Sequence, residues 1–152
     1  MFGGTGNDTF KLGADNVAKL DDAGTSQSIA RIDGGTGLDK IVLDGSSISM
    51  DLTAIKADVI RDVEEIDITG GGANTLKLNL ASVLDLSDND KLVVLGNAGD
   101  ALQIVRTAGV TANETASNVT YDGQVYKGYD LNNDGIADLL VQSTINSITF
   151  SG

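Results

Sequence analysis

The chain contains no cysteine and no histidine. Disulfides, thiolate sites and nearly every zinc, copper or haem centre are thereby excluded, because sulfur or imidazole holds those metals. Triads and dyads built on His or Cys go with them. Tryptophan and proline are absent and aromatics make up only 4% of the residues, so the core must be built from Leu, Ile and Val. No apolar run approaches the ~18 residues of a membrane-spanning helix, which argues against membrane insertion. Basic residues are scarce, 10 against 22 acidic ones for a net charge of −12. A surface for nucleic acid or anionic lipid needs the opposite balance. Met1-Phe2 is followed at once by Gly3-Gly4-Thr5-Gly6. No signal peptide opens the sequence, and the chain reads as a piece of a longer one.

What is plentiful is hard oxygen: Asp, Asn, Glu, Ser and Thr. These are the ligands of calcium, and a bound Ca²⁺ would relieve the self-repulsion of an acidic chain.

The 152 residues suffice for a domain with a true core. Residues 1–44 are rich in Gly and Asp; the rest, 45–152, reads as a C-terminal β domain. Strict apolar/polar alternation in Glu65–Thr69, Thr75–Leu80, Val83–Ser87, Lys91–Leu95 and Ala101–Val105 predicts strands with one buried face. Gly70-Gly71-Gly72, Asp88-Asn89-Asp90 and Gly96–Asp100 predict the turns between them. Short strands are expected around Val119–Tyr121, Val125-Tyr126, Leu139–Val141 and Ser147–Phe150, after a polar loop at Thr111–Ser117. Leu12–Ala30 reads as a degenerate repeat or loop. Helical spacing of Leu52, Ile55 and Val59 predicts a helix over Asp51–Asp62, and a one-turn helix is possible near Ser82. The expected fold is all-β: a short β-roll-like opening leading into a β-solenoid or a compact β-sandwich, with at most one or two short helices.

Two segments carry the same pattern. Gly3, Gly4, Gly6, Asp8 and Phe10 recur as Gly34, Gly35, Gly37, Asp39 and Ile41. The glycines permit a tight turn that side chains would block, Asp adds a charged oxygen, and the apolar residue anchors a short strand. A second signal is Asp130-Leu131-Asn132-Asn133-Asp134-Gly135-Ile136-Ala137-Asp138. Oxygen at alternate positions, a glycine at the sharp bend and a carbonyl beyond it suit a calcium ion. Asp130, Asn132, Asp134 and Asp138 would supply side chains and Ile136 its carbonyl. Val141 stands where an EF-hand has its last Glu, and strands flank the loop, so it is not an EF-hand.

Asp85, Asp88 and Asp90, like Asp21-Asp22, read as solvated turns. Glu64 and Glu65 would point to opposite faces of a strand and so could not share a substrate. Tyr121, Tyr126 and Tyr129 precede the acidic loop and could form an aromatic platform. Nothing in the sequence marks an enzyme.

The paired glycine motifs resemble the calcium-binding nonapeptide of RTX proteins, Gly-Gly-x-Gly-x-Asp-x-apolar-x. The order Ile32–Leu43, Asp51-Leu52-Thr53, Val63–Gly70, Val83–Asp88 and then the acidic loop resembles the C-terminal region of large RTX adhesins. In that family stacked turns complete one another's calcium shells. The resemblance implies a secreted or bacterial cell-surface location and further domains upstream in the same long chain; the chain itself is expected to be a monomer. It also implies a signal for the type I secretion machinery near the end, within Leu139–Gly152. Two alternatives stay open: the C-terminal β-roll of a secreted RTX hydrolase, and a calcium-dependent module binding glycan or ice.

Overall fold

The computed structural model describes residues 1–21 and 30–152. Alternating apolar residues that bury one face need a second layer, and here the chain supplies it by coiling on itself. The first coil, or rung, holds β1 (Phe2–Thr5), β2 (Thr9–Leu12) and α1 (Ala14–Asp21). The second holds β3 (Ile32–Thr36), β4 (Lys40–Leu43) and β5 (Ser49–Asp51), and the third β6 (Ile60–Arg61), β7 (Glu65–Asp67) and β8 (Thr75–Asn79). The fourth holds α2 (Leu80–Leu86), β9 (Leu92–Leu95) and β10 (Ala101–Val105). A hairpin of β11 (Asn113–Tyr121) and β12 (Gln124–Asp130) then leads to β13 (Leu139–Gln142) and β14 (Ser147–Ser151).

Stacking the rungs produces three sheets, in the orders β1-β3-β6, β14-β10-β8-β5 and β11-β12-β13-β9-β7-β4-β2. Every rung-to-rung pairing is parallel; only the hairpin and its attachment to β13 are antiparallel. The architecture is therefore all-β and is a solenoid, not a sandwich. Residues 1–44 contribute β1 to β4 to the same sheets that residues 45–152 continue.

The register explains the core. Phe10, Ile41, Ile66, Val94 and Val141 stack in one inward column, and Met50, Leu76, Leu102 and Ile148 in another. All but Ile148 are buried, at about 1.5–3 kcal/mol each. The two helices replace strands at sheet ends, α1 beside β5 and α2 beside β6.

Four local expectations need correction. Asp51–Asp62 is not a helix: the Asp51 carboxylate accepts from Thr53 N (3.0 Å) and closes a turn. Asp58 and Asp62 have φ of 66° and 55°, outside any right-handed helix. Val83–Ser87 is not a strand. Asn79 caps α2 by accepting from Ser82 N at 2.8 Å, burying Val83 and Leu86 and leaving Leu84 exposed, a three-residue period. Part of Leu12–Ala30 is the helix α1, which buries Val17 and Leu20. Much of Thr111–Ser117 belongs to β11, which pairs with β12 through Asn113, Glu114 and Ala116 in an interrupted register.

Candidate metal centres

The two glycine motifs lie 31 residues apart, yet they occupy the same corner of successive rungs. Gly4 pairs with Gly35, Thr5 with Thr36 and Phe10 with Ile41. Side-chain ladders lock the corner. Asn7 Oδ1 accepts from Leu38 N at 3.0 Å, and Asp39 Oδ1 accepts from Asp8 N at 2.7 Å. The glycines are needed for close approach. A Cβ on Gly35 or Gly37 would collide with the Gly4 or Gly6 carbonyl above it, and both have positive φ.

Each Asp uses this corner incompletely. Asp8 Oδ2 and Asp39 Oδ2 are buried and have no hydrogen-bond partner, and Asp39 as a whole is only 1% exposed. Buried carboxylate oxygens are ordinarily paired, hydrogen-bonded or bound to metal. The ion pairs among the described residues (Lys40–Glu65, Arg61 with Asp33 and Asp62, Lys77–Asp51) leave both aspartates without a basic partner.

Asp100, at a different corner, shows what a saturated aspartate looks like. It is fully buried, but its two oxygens accept from Asn74 N (2.9 Å) and Asn97 N (2.6 Å). Asn74 in turn accepts from Ile48 N at 2.8 Å and donates to the Ile68 carbonyl. This ladder is structural. Its turns are legible in the sequence but its rungs are not; their signal is the 26-residue offset repeated from Ile48 to Asn74 to Asp100.

The acidic loop is built differently. Asp130 ends β12, and its Oδ1 accepts from Asn132 N (3.1 Å) and Asn133 N (2.6 Å), its Oδ2 from Gly135 N (2.8 Å). Asp138 Oδ2 accepts from Leu131 N at 2.7 Å, and Asp134 Oδ1 from Ile136 N at 2.8 Å. Asn132 brings the remaining oxygens together, with Nδ2 at 3.1 Å from Asp134 Oδ2 and 3.4 Å from Asp138 Oδ1. Turning that amide over would put an oxygen in the same place. Positive φ at Asn133 and Gly135 makes the bend, while Ile136 is exposed. The Asp138 carbonyl, accepting from Leu92 N, ties the loop to β9.

The electrostatics follow the hydrogen bonds. Burial acts to raise the Asp130 carboxyl, but the amides of Gly135, Asn133, Asn132 and Asp134 outweigh it and hold it below the ordinary range. Asp138 is pushed up by burial, against the Leu131 amide, with the charges of Asp134 and Asp130 adding to the rise. Among the described residues, no three Asp, Glu, His or Cys side chains form a metal-holding group by themselves. A cation at either place would thus share carboxylates with neutral oxygens of amides and carbonyls, as hard cations commonly do.

The remaining candidates separate cleanly. Asp85, Asp88 and Asp90 are exposed. Of Asp21-Asp22, Asp22 lies outside the described residues. Glu64 is buried while Glu65 pairs with Lys40 at 2.8 Å, so the two serve different surroundings. Tyr126 and Tyr129 are buried, and Tyr121 meets Tyr126 edge-on at 5.9 Å, so the three rings form no open platform. The last strands β13 and β14 occupy most of Leu139–Gly152. Compared with known proteins, the chain matches no family model, no curated protein and no solved structure.

Proposed function

We propose that this chain is a non-catalytic, calcium-binding module of the C-terminal region of a large secreted RTX-type adhesin, folding on calcium outside the cell and carrying a type I secretion signal near its end. The observation that supports calcium most is the pair of stacked glycine turns, whose aspartates each keep a buried oxygen without a partner. Gly3, Gly4, Gly6 and Asp8 would face Gly34, Gly35, Gly37 and Asp39 across one inter-rung site. The acidic loop would hold a second ion through Asp130, Asn132, Asp134, Asp138 and the Ile136 carbonyl. The adhesin and secretion roles rest on the order of motifs along the chain.

A physical link joins calcium to export. An ion that binds only the folded state adds RT ln(1 + [Ca²⁺]/Kd), about 2.7 kcal/mol per site at 100-fold excess over Kd. Extracellular modules commonly have Kd of roughly 10⁻⁴–10⁻³ M. At cytosolic calcium that contribution vanishes, and an acidic chain of net charge −12 stays loose enough to thread a channel. Outside, filled sites favour the coiled form.

The test is a calcium titration followed by circular dichroism, with Asp134→Ala and Asp39→Asn alongside. β-signal and melting midpoint should rise with calcium, each variant losing part of the gain. Equal folding in chelator and in calcium would remove the basis of the proposal.

A further inference from the structure

The column of carboxylates does not stop where the glycine motif stops. Asp39 N donates to Glu64 Oε2 at 2.8 Å, as Asp8 N donates to Asp39 Oδ1 at 2.7 Å. The offsets are 31 residues in the first step and 25 in the second, so the third rung has a shorter corner, Asp62-Val63-Glu64. Glutamate carries one methylene more than aspartate, and that reach lets Glu64 meet the Asp39 amide from a shorter turn.

The cradle itself also repeats. A Cβ on Gly3 would collide with the Gly34 carbonyl oxygen and lie 2.6 Å from Asp8 Oδ2. A Cβ on Gly34 would collide with the Asp62 carbonyl oxygen and lie 2.6 Å from Asp39 Oδ2. In both, a missing side chain lets a carbonyl from the next rung approach a buried, unpartnered carboxylate oxygen. Asp62 reaches this position with φ of 55°, a left-handed conformation that the glycine-free corner adopts all the same.

From this repetition we infer that the solenoid has a second inter-rung cation site, between the second and third rungs, formed by Asp39, the Asp62 carbonyl and Glu64. Asp39 is 1% exposed and its free oxygen points into this cradle. Glu64 is 7% exposed and, among the described residues, no basic side chain pairs with it: Lys40 is engaged by Glu65 and Arg61 by Asp33 at 2.5 Å. Two buried carboxylates in sequence need a counter-charge. A divalent cation supplies it through the oxygen ligands that calcium prefers. Nothing in the third rung resembles the glycine motif, so only the stacking brings these residues to a site.

This inference rests on the calcium-binding function proposed above, and the experiment separates the two. Ions bound to the whole chain are counted by native mass spectrometry and their affinities measured by calorimetry, for the wild type, Glu64→Gln and Asp134→Ala. Glu64→Gln keeps an oxygen for the Asp39 amide and removes only the charge. It should bind one ion fewer, or bind it at least about tenfold more weakly, with the loop ion retained. Asp134→Ala should lose the loop ion and keep those of the stack. A wild type that binds no calcium overturns both proposals. A wild type that binds calcium, with Glu64→Gln binding the same number as tightly, overturns this one alone. Paramagnetic broadening by Gd³⁺ in the wild type needs no variant: the Asp39, Asp62 and Glu64 amide signals should broaden together. Broadening confined to residues 130–138 would overturn the second site.

Discussion

The stacked corner and the acidic loop offer oxygen in opposite ways. In the loop every bond that shapes the carboxylates spans at most seven residues, and Asp130 is saturated by amides of its own turn. In the corner the bonds span 25 or 31 residues, and each aspartate is left with one bare oxygen. The loop can take shape before the solenoid does, because local contacts carry little loop-closure entropy. The corner exists only once neighbouring rungs are in register. Calcium would therefore complete a formed loop but help to assemble the stack.

Glycine substitution should break the comparison most sharply. Gly34→Ala drives a Cβ into the Asp62 carbonyl and should destabilise the protein by at least about 3 kcal/mol. Gly4→Ala meets nothing within 4 Å and carries only the strain of a φ of 102°, roughly 1–2 kcal/mol. Urea unfolding midpoints should rank them in that order, and equal losses would mean that the rungs are not packed this closely.

Chelation comes next. Removing calcium should lower stability by about 2.7 kcal/mol for each site that was filled 100-fold above its Kd. In calorimetric scans the Asp39→Asn protein should be less sensitive to chelator than the wild type. Matching sensitivity would detach the corner from calcium.

A local effect should follow from Asp130→Ala. Without calcium, the amides of Asn133 and Gly135 lose their acceptor and should exchange hydrogen faster, with Gly34–Asp39 unchanged. Faster exchange spreading to the corner would show that the two regions form one cooperative unit.

The smallest effect lies away from both. Burial opposes ionisation of Asp51, but its bonds with Lys77 (2.8 Å) and Thr53 hold its carboxyl below the usual range. A group depressed in the folded state contributes stability above its unfolded pKa, and loses it as pH falls through the folded value, here below the ordinary aspartate range. Both partners are about one-third exposed, so Lys77→Met should change stability at neutral pH by only about 0.5 kcal/mol. That difference should shrink at low pH, and a pH-independent effect would point to packing instead.

How far the sequence was readable follows the same divide. Thr75–Asn79 and Ala101–Val105 alternate with period two and are strands, β8 and β10, because one face of each is buried. Val83–Ser87 alternates as well, yet a cap at Asn79 and the packing of Val83 and Leu86 made it helical. Short apolar runs fit either period, and here the run is a helix packed beside β6 and β8. The acidic loop was visible because its determinants are contiguous. Glu64 read as half of a charged pair on a strand, since nothing near it in sequence names Asp39 as its partner.

The sequence by itself therefore determined the all-β character, the absence of sulfur and imidazole among the candidate ligands, the tight glycine turns and the nine-residue acidic loop. All of these depend on residue type or on neighbours a few positions away. Only the tertiary structure decided that two motifs 31 residues apart are stacked, that Glu64 extends their column, and that Asp39 is enclosed with an oxygen to spare. The physical reason is register. Parallel rungs align residues by the lengths of the segments between them, and at this corner those lengths differ, 31 residues in one turn and 25 in the next.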